Sequence, residues 1–188
     1  MAFSQIKSPS EYFGYELGSK FHRHHQMVEY VNYLVASNNS KAKIIEYGKT
    51  TEGRKLFVVA ISSVQNMSQL ESIRENNLKS IGLMDGTPNQ KQPAIAWLSY
   101  NVHGNEAVSM EASMEVLYRL LKNNNGENDQ ILSNSVIIID PCINPDGRDR
   151  YANWYNQKLG MTANPNPLAT EHAEPWPGGR TNHYLFDL

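Results

Sequence analysis

Pro93-Ala94-Ile95-Ala96-Trp97-Leu98, followed by Ser99-Tyr100-Asn101-Val102-His103-Gly104-Asn105-Glu106, is the stretch that decides how this chain folds. The first run is short and apolar and follows Gln92, which reads as a buried strand. Residues 106–122 then carry Met110, Met114, Leu117 and Leu121 on one stripe, the pattern of an amphipathic helix. Gly104 suits a sharp turn or a close backbone approach. The loop between strand and helix therefore lies at a strand's carboxyl end, where α/β sheets usually form ligand sites. His103 and Glu106 sit three residues apart in it, so an imidazole and a carboxylate can point at one cation. A catalytic zinc needs a few N and O ligands and an open position for water, and this pair supplies two ligands. The His-x-x-Glu pair alone is a weak motif. A helix cap beside an exposed histidine explains the same residues, and His22, His24 and His25 offer no such pairing.

The elements around this stretch alternate. Residues 21–36 carry Val28, Val31, Leu34 and Val35 at helical spacing. Ile44-Ile45-Glu46-Tyr47 and Leu56-Phe57-Val58-Val59-Ala60-Ile61 read as strands, with Gly48-Lys49-Thr50-Thr51-Glu52-Gly53-Arg54 as the turn of a hairpin. Residues 67–81 form a further helix pattern through Leu70, Ile73, Leu78 and Ile81, and Val136-Ile137-Ile138-Ile139 a further strand. Asn123-Asn124-Asn125-Gly126 is a loop. The order predicts an α/β fold: a mixed, mostly parallel twisted sheet with helices on both faces.

At 188 residues the chain is one domain or most of one, and a hydrophobic fraction of 40% is enough for a core. The net charge of −2 and the lack of a basic stripe argue against a nucleic-acid partner. No apolar run is long enough for a membrane span. Met1-Ala2-Phe3-Ser4-Gln5 has neither a charged nor an apolar leader segment, so no signal peptide is expected in this chain. The single Cys142 follows an apolar run and reads as a small buried hydrophobe rather than a catalytic thiol.

From Pro141 onward Pro, Gly, Asn and Trp dominate, and a long structureless tail is expected, of the kind that is usually functional. Asn144-Pro145-Asp146-Gly147 is a strong turn signal. Arg148 and Arg150 follow it; an arginine's planar fork fits carboxylates and developing oxyanions, although on composition alone two solvated surface arginines are the simpler reading.

Taken together, His103-Gly104-Asn105-Glu106 after a strand, Asp140-Pro141 leading to Asn144-Pro145-Asp146-Gly147, and Gly53-Arg54 in the hairpin resemble the zinc metallocarboxypeptidases of the carboxypeptidase A type, peptidase family M14. The tail from Gly178 to Leu188 resembles the approach to the family's Asp-x-Asn-Arg motif. The resemblance runs from about Tyr12 to the end and implies a zinc carboxypeptidase-like fold, here truncated: residues 1–188 would be the amino-terminal portion of a catalytic domain that continues further.

The resemblance also implies roles. His103 and Glu106 would ligate Zn2+, and Asp187 would accept a hydrogen bond from His103. Arg150, or failing it Arg148, would stabilise the tetrahedral oxyanion. The third zinc ligand, the Asn-Arg pair for the substrate carboxylate and the catalytic glutamate would lie beyond Leu188, so the 188-residue chain is expected to be an incomplete and inactive peptidase. The implied partner is a peptide substrate, the implied setting periplasmic or secreted. Absent strands would leave one sheet edge open to self-association. Two other functions share these motifs. One is a zinc-dependent N-acyl amino acid deacylase of the aspartoacylase or desuccinylase type, which the Asn-Pro-Asp-Gly loop disfavours. The other is a non-catalytic binding domain, with Tyr151, Trp154, Tyr155, Trp176 and Tyr184 lining a groove.

Overall fold

The computed structural model describes residues 6–122, 126–162 and 164–188. A short helix α1 (Pro9–Phe13) opens the described chain, capped by the Ser8 side chain. Helix α2 (His24–Ser37) begins three residues later than its apolar pattern predicts, because Arg23 is extended and the Gln26 side chain accepts its backbone N–H at 2.9 Å. The hairpin forms as expected from β1 (Ala42–Lys49) and β2 (Lys55–Ile61). The helix pattern over 67–81 is broken at Gln69 into α3 (Val64–Ser68) and α4 (Leu70–Ser80). Then come β3 (Ala94–Ser99), α5 (Val108–Leu121), α6 (Asp129–Asn134), β4 (Ser135–Asp140) and α7 (Pro145–Lys158). The Asn123–Asn125 part of the expected loop lies outside the described residues.

The four strands form one mixed sheet in the order β1-β2-β4-β3. β3 runs parallel to β4, from Ala94 opposite Ser135 to Ser99 opposite Asp140; the β1–β2 and β2–β4 pairs are antiparallel. The core gathers Phe57, Val59 and Ile61 of β2 and Ile137 and Ile139 of β4. Against them pack Met27, Tyr30, Val31 and Leu34 of α2 and Met110, Met114 and Leu117 of α5. Val58 and Ala60 of β2 are buried too, so this central strand is covered on both faces, which explains its unbroken apolar run.

Two expectations are corrected. β3 is not buried: all six residues are exposed, Trp97 by 61%. It is the edge of the sheet, and an apolar hexapeptide reads the same at an edge as in a centre. The segment after Pro141 is not structureless, because α7 fills 14 residues of it. Asn144-Pro145-Asp146-Gly147 is the start of that helix: the Asn144 side chain accepts the Gly147 N–H at 3.0 Å and Pro145 occupies the first turn. Its buried face is Asp146, Gly147, Arg148, Asp149 and Ala152, so no apolar periodicity announces it.

Candidate metal centre

The loop between β3 and α5 is held by backbone contacts that only glycine allows. A Cβ on Gly104 would lie 2.0 Å from the Gly147 carbonyl carbon, and one on Gly147 would lie 2.2 Å from the Gly179 carbonyl oxygen. The Gly104 N–H donates to that same Gly179 oxygen at 2.8 Å. Three bare backbones thus bring together the histidine loop, the start of α7 and the segment leading to Arg180.

His103 and Glu106 converge at this junction: His103 Nδ1 lies 2.9 Å from Glu106 Oε1. Its other nitrogen, Nε2, lies 3.1 Å from Asp187 Oδ1 and also meets the Leu188 carbonyl oxygen. Arg180 closes the group, with Nη1 3.1 Å from His103 Nδ1 and 3.8 Å from Glu106 Oε1, and Nε 2.9 Å from Asp187 Oδ1. The Glu106 carboxylate holds the His103 pKa above its ordinary value, and the Arg180 guanidinium holds that of Asp187 below the usual carboxylate range.

This geometry suits a cation. A proton on Nδ1 makes the 2.9 Å contact a hydrogen bond to Glu106; in the neutral tautomer that donates from Nε2 to Asp187, the Nδ1 lone pair and the carboxylate oxygen would both be free to face one cation. Two ligand atoms on one tetrahedral zinc lie about 3.3 Å apart, a few tenths more than observed here. The positive charge beside both atoms is here the Arg180 guanidinium.

Arg150 and Arg148 make other contacts. Arg150 donates to the carbonyls of Gly178 at 2.9 Å and Thr181 at 3.2 Å, bracing the segment that carries Arg180. Arg148 is fully buried rather than solvated, donating to His22 O, Ala107 O and Glu111 Oε1. Arg180 was not singled out from the sequence, since 77 residues separate it from His103; the preceding Gly178-Gly179 pair is the one local mark of a close approach. Cys142 is buried, and burial pushes its thiol pKa up, as befits an inert side chain.

Among the described residues one other group offers three potential ligand atoms within 4.8 Å: Glu52, Asp146 and His183. It already surrounds a cation, because Arg54 contacts Glu52, donates to Asp146 at 2.7 Å and to Asp149 at 2.8 Å. His103 and Glu106 are not matched by a third ligand atom among the described residues.

Comparison with known proteins bears on this site. The family model described as zinc carboxypeptidase matches residues 27–184. No curated protein sequence matches. Among solved structures, thrombin activatable fibrinolysis inhibitor aligns at a TM-score of 0.54 and 16% identity, over 77% of this chain and 29% of that one. Carboxypeptidase A from Helicoverpa armigera aligns at 0.50 and 22%, over 69% of this chain and 26% of that one. The chain thus spans less than a third of either structure, and the likeness is one of fold.

Proposed function

This chain belongs to the zinc carboxypeptidase family, and we propose that it carries the zinc-binding loop of a metallocarboxypeptidase that hydrolyses peptide bonds. The observation that supports this best is the convergence of His103 Nδ1 and Glu106 Oε1, with His103 Nε2 turned to Asp187. Zn2+, the family's cofactor, supplies a Lewis acid that lowers the pKa of bound water to about 7 and polarises the scissile carbonyl.

The chain's own residues prepare that site. Asp187 accepts the Nε2–H and fixes the tautomer in which Nδ1 offers its lone pair; loss of such a contact typically costs about 10–100-fold in metal affinity or activity. Glu106 adds the anionic ligand. Arg180 is the guanidinium nearest both ligands and is assigned to the developing oxyanion, a role for which Arg150 is less well placed because it braces residues 178 and 181. The third ligand and the base that takes the water's proton are assigned to residues outside these 188, so the chain by itself should bind zinc loosely and hydrolyse peptides poorly. A periplasmic or secreted setting belongs to the same proposal through the family resemblance. Self-association through β3 does too, supported by an exposed edge strand without a charged residue.

Zinc titration by calorimetry, with wild-type chain and the His103→Ala and Glu106→Gln variants, tests the site. One zinc per chain, lost in both variants, is expected; equal binding by all three sinks the assignment. Assay of a longer protein containing this chain on peptides and on N-acyl amino acids separates a peptidase from a deacylase. A protein that carries stoichiometric zinc and hydrolyses only the peptides is the expected result.

A further inference from the structure

We infer that Asn101 is a positioning residue, whose carboxamide clamps the backbone of the His103–Glu106 loop so that the two side chains converge on one point. Its purpose rests on the zinc reading above; its geometry does not. Asn101 is 2% exposed and stands two residues before His103. Its Nδ2 donates to the carbonyl of His103 at 2.8 Å and to that of Glu106 at 3.3 Å. The amide's two hydrogens thus go to the two residues that carry the proposed ligands. Its Oδ1 accepts the Cys142 thiol hydrogen at 3.3 Å, and its backbone oxygen accepts the Asn144 N–H at 3.2 Å. The two carbonyls fix which end of the amide is which, since a flipped group would turn its oxygen against two carbonyl oxygens; the thiol accommodates the outcome by donating to Oδ1.

The backbone makes the choice of residue specific. Asn101 has φ +56°, in the left-handed region. Glycine adopts that conformation freely but has no side chain to donate, and most other side chains are strained there; asparagine tolerates it and supplies two donors. Cys142 lies just past β4 and Asn101 just past β3, so the clamp ties the loop to the ends of two paired parallel strands. With both carbonyls fixed, the remaining freedom of His103 and Glu106 lies chiefly in their side-chain torsions.

Asn101→Gly keeps the backbone conformation and removes the clamp. Expected are a zinc affinity, read by competition against Co2+ and its absorption band, weaker by about 10-fold or more, and faster exchange of the Glu106 and Ser109 amides in metal-free chain. Asn101→Asp, nearly the same shape with acceptors in place of donors, should do the same. Affinity within twofold of wild type together with unchanged exchange overturns the inference. Should neither variant fold, the wild-type chain decides: NMR should show Asn101 side-chain NH2 protons exchanging far more slowly than those of exposed carboxamides, and free exchange there overturns the clamp. Protected NH2 protons in a chain that takes up no zinc would leave the clamp standing and remove the zinc reading instead.

Discussion

Gly104 and Gly147 meet through bare backbone, with room for no side-chain atom between them: an added Cβ would sit 2.0 Å from carbonyl carbon and 2.2 Å from the Arg148 nitrogen. Backbone on both sides cannot step aside as a flexible side chain can. Gly104→Ala is therefore expected to cost about 3 kcal/mol, the upper end for overpacking. Gly53→Ala provides the contrast: its φ is +80° but nothing lies within 4 Å, so only strain of about 1 kcal/mol is added. Urea denaturation of the two variants checks the difference, and equal costs would contradict the close approach.

Arg148 and Glu111 form a buried pair at 2.7 Å, joined by His22, whose backbone N–H donates to the same Glu111 oxygen at 2.8 Å. Breaking one side of such a pair leaves an uncompensated charge. Arg148→Met should destabilise by about 3–5 kcal/mol. Adding Glu111→Leu to it should recover part of that loss, because the stranded carboxylate is then gone. A double-mutant cycle by denaturant titration reads the coupling; strictly additive losses would refute it.

His24 is 5% exposed and its Nε2 has no partner among the described residues. Burial pushes its pKa down to about 4, against the ordinary 6.5. The unfolded chain therefore takes up a proton that the folded chain refuses. Stability is full above pH 6.5, falls by about 1.4 kcal/mol per pH unit below it, and levels off near pH 4, a total of about 3 kcal/mol. Urea midpoints at pH 7.5, 5.5 and 4.5 should show this loss in wild type and a shallower one in His24→Gln. Parallel pH profiles would mean that His24 titrates normally.

Arg180 is expected to separate catalysis from metal binding. In a longer, active protein containing this chain, Arg180→Ala should lower kcat by about 10²–10³-fold, the cost of one oxyanion-stabilising donor. Zinc affinity should not fall, since the guanidinium 3.1 Å from His103 Nδ1 repels a metal rather than holds it. Measuring kcat and the zinc dissociation constant on the same variant tests both halves. Weakened zinc binding with intact kcat would reverse the assignment.

The apolar periodicity of α2 and α5 and the continuous apolar runs of β2 and β4 are legible in the amino acids, because the helices bury one regular face in the common core and the two strands are buried along most of their length. α7 is not legible in that way. Its buried first turns are Asp146, Arg148 and Asp149, which bind Arg54, Glu111 and backbone carbonyls contributed by distant segments. Polar burial has no period to detect, and Asn144-Pro145 signals a turn as well as it signals a helix start. For the same reason the sequence does not show that Arg148 and Arg150 are held by backbone carbonyls, or that Arg180 stands beside His103.

Local order alone determined the strand–loop–helix unit and the pairing of His103 with Glu106 on one loop, since these depend on spacing and side-chain chemistry; Asp187 became a candidate only through the family resemblance. Tertiary structure alone decided which arginine stands beside the imidazole, that β3 lies at an edge, and that Asn101 grips the loop. The arginine's place turns on three glycine backbones packing without side chains between them, the edge position of β3 on the order in which the strands pair, and the anchoring of the Asn101 amide on Cys142, 41 residues away; none of these leaves a periodic trace in a linear chain.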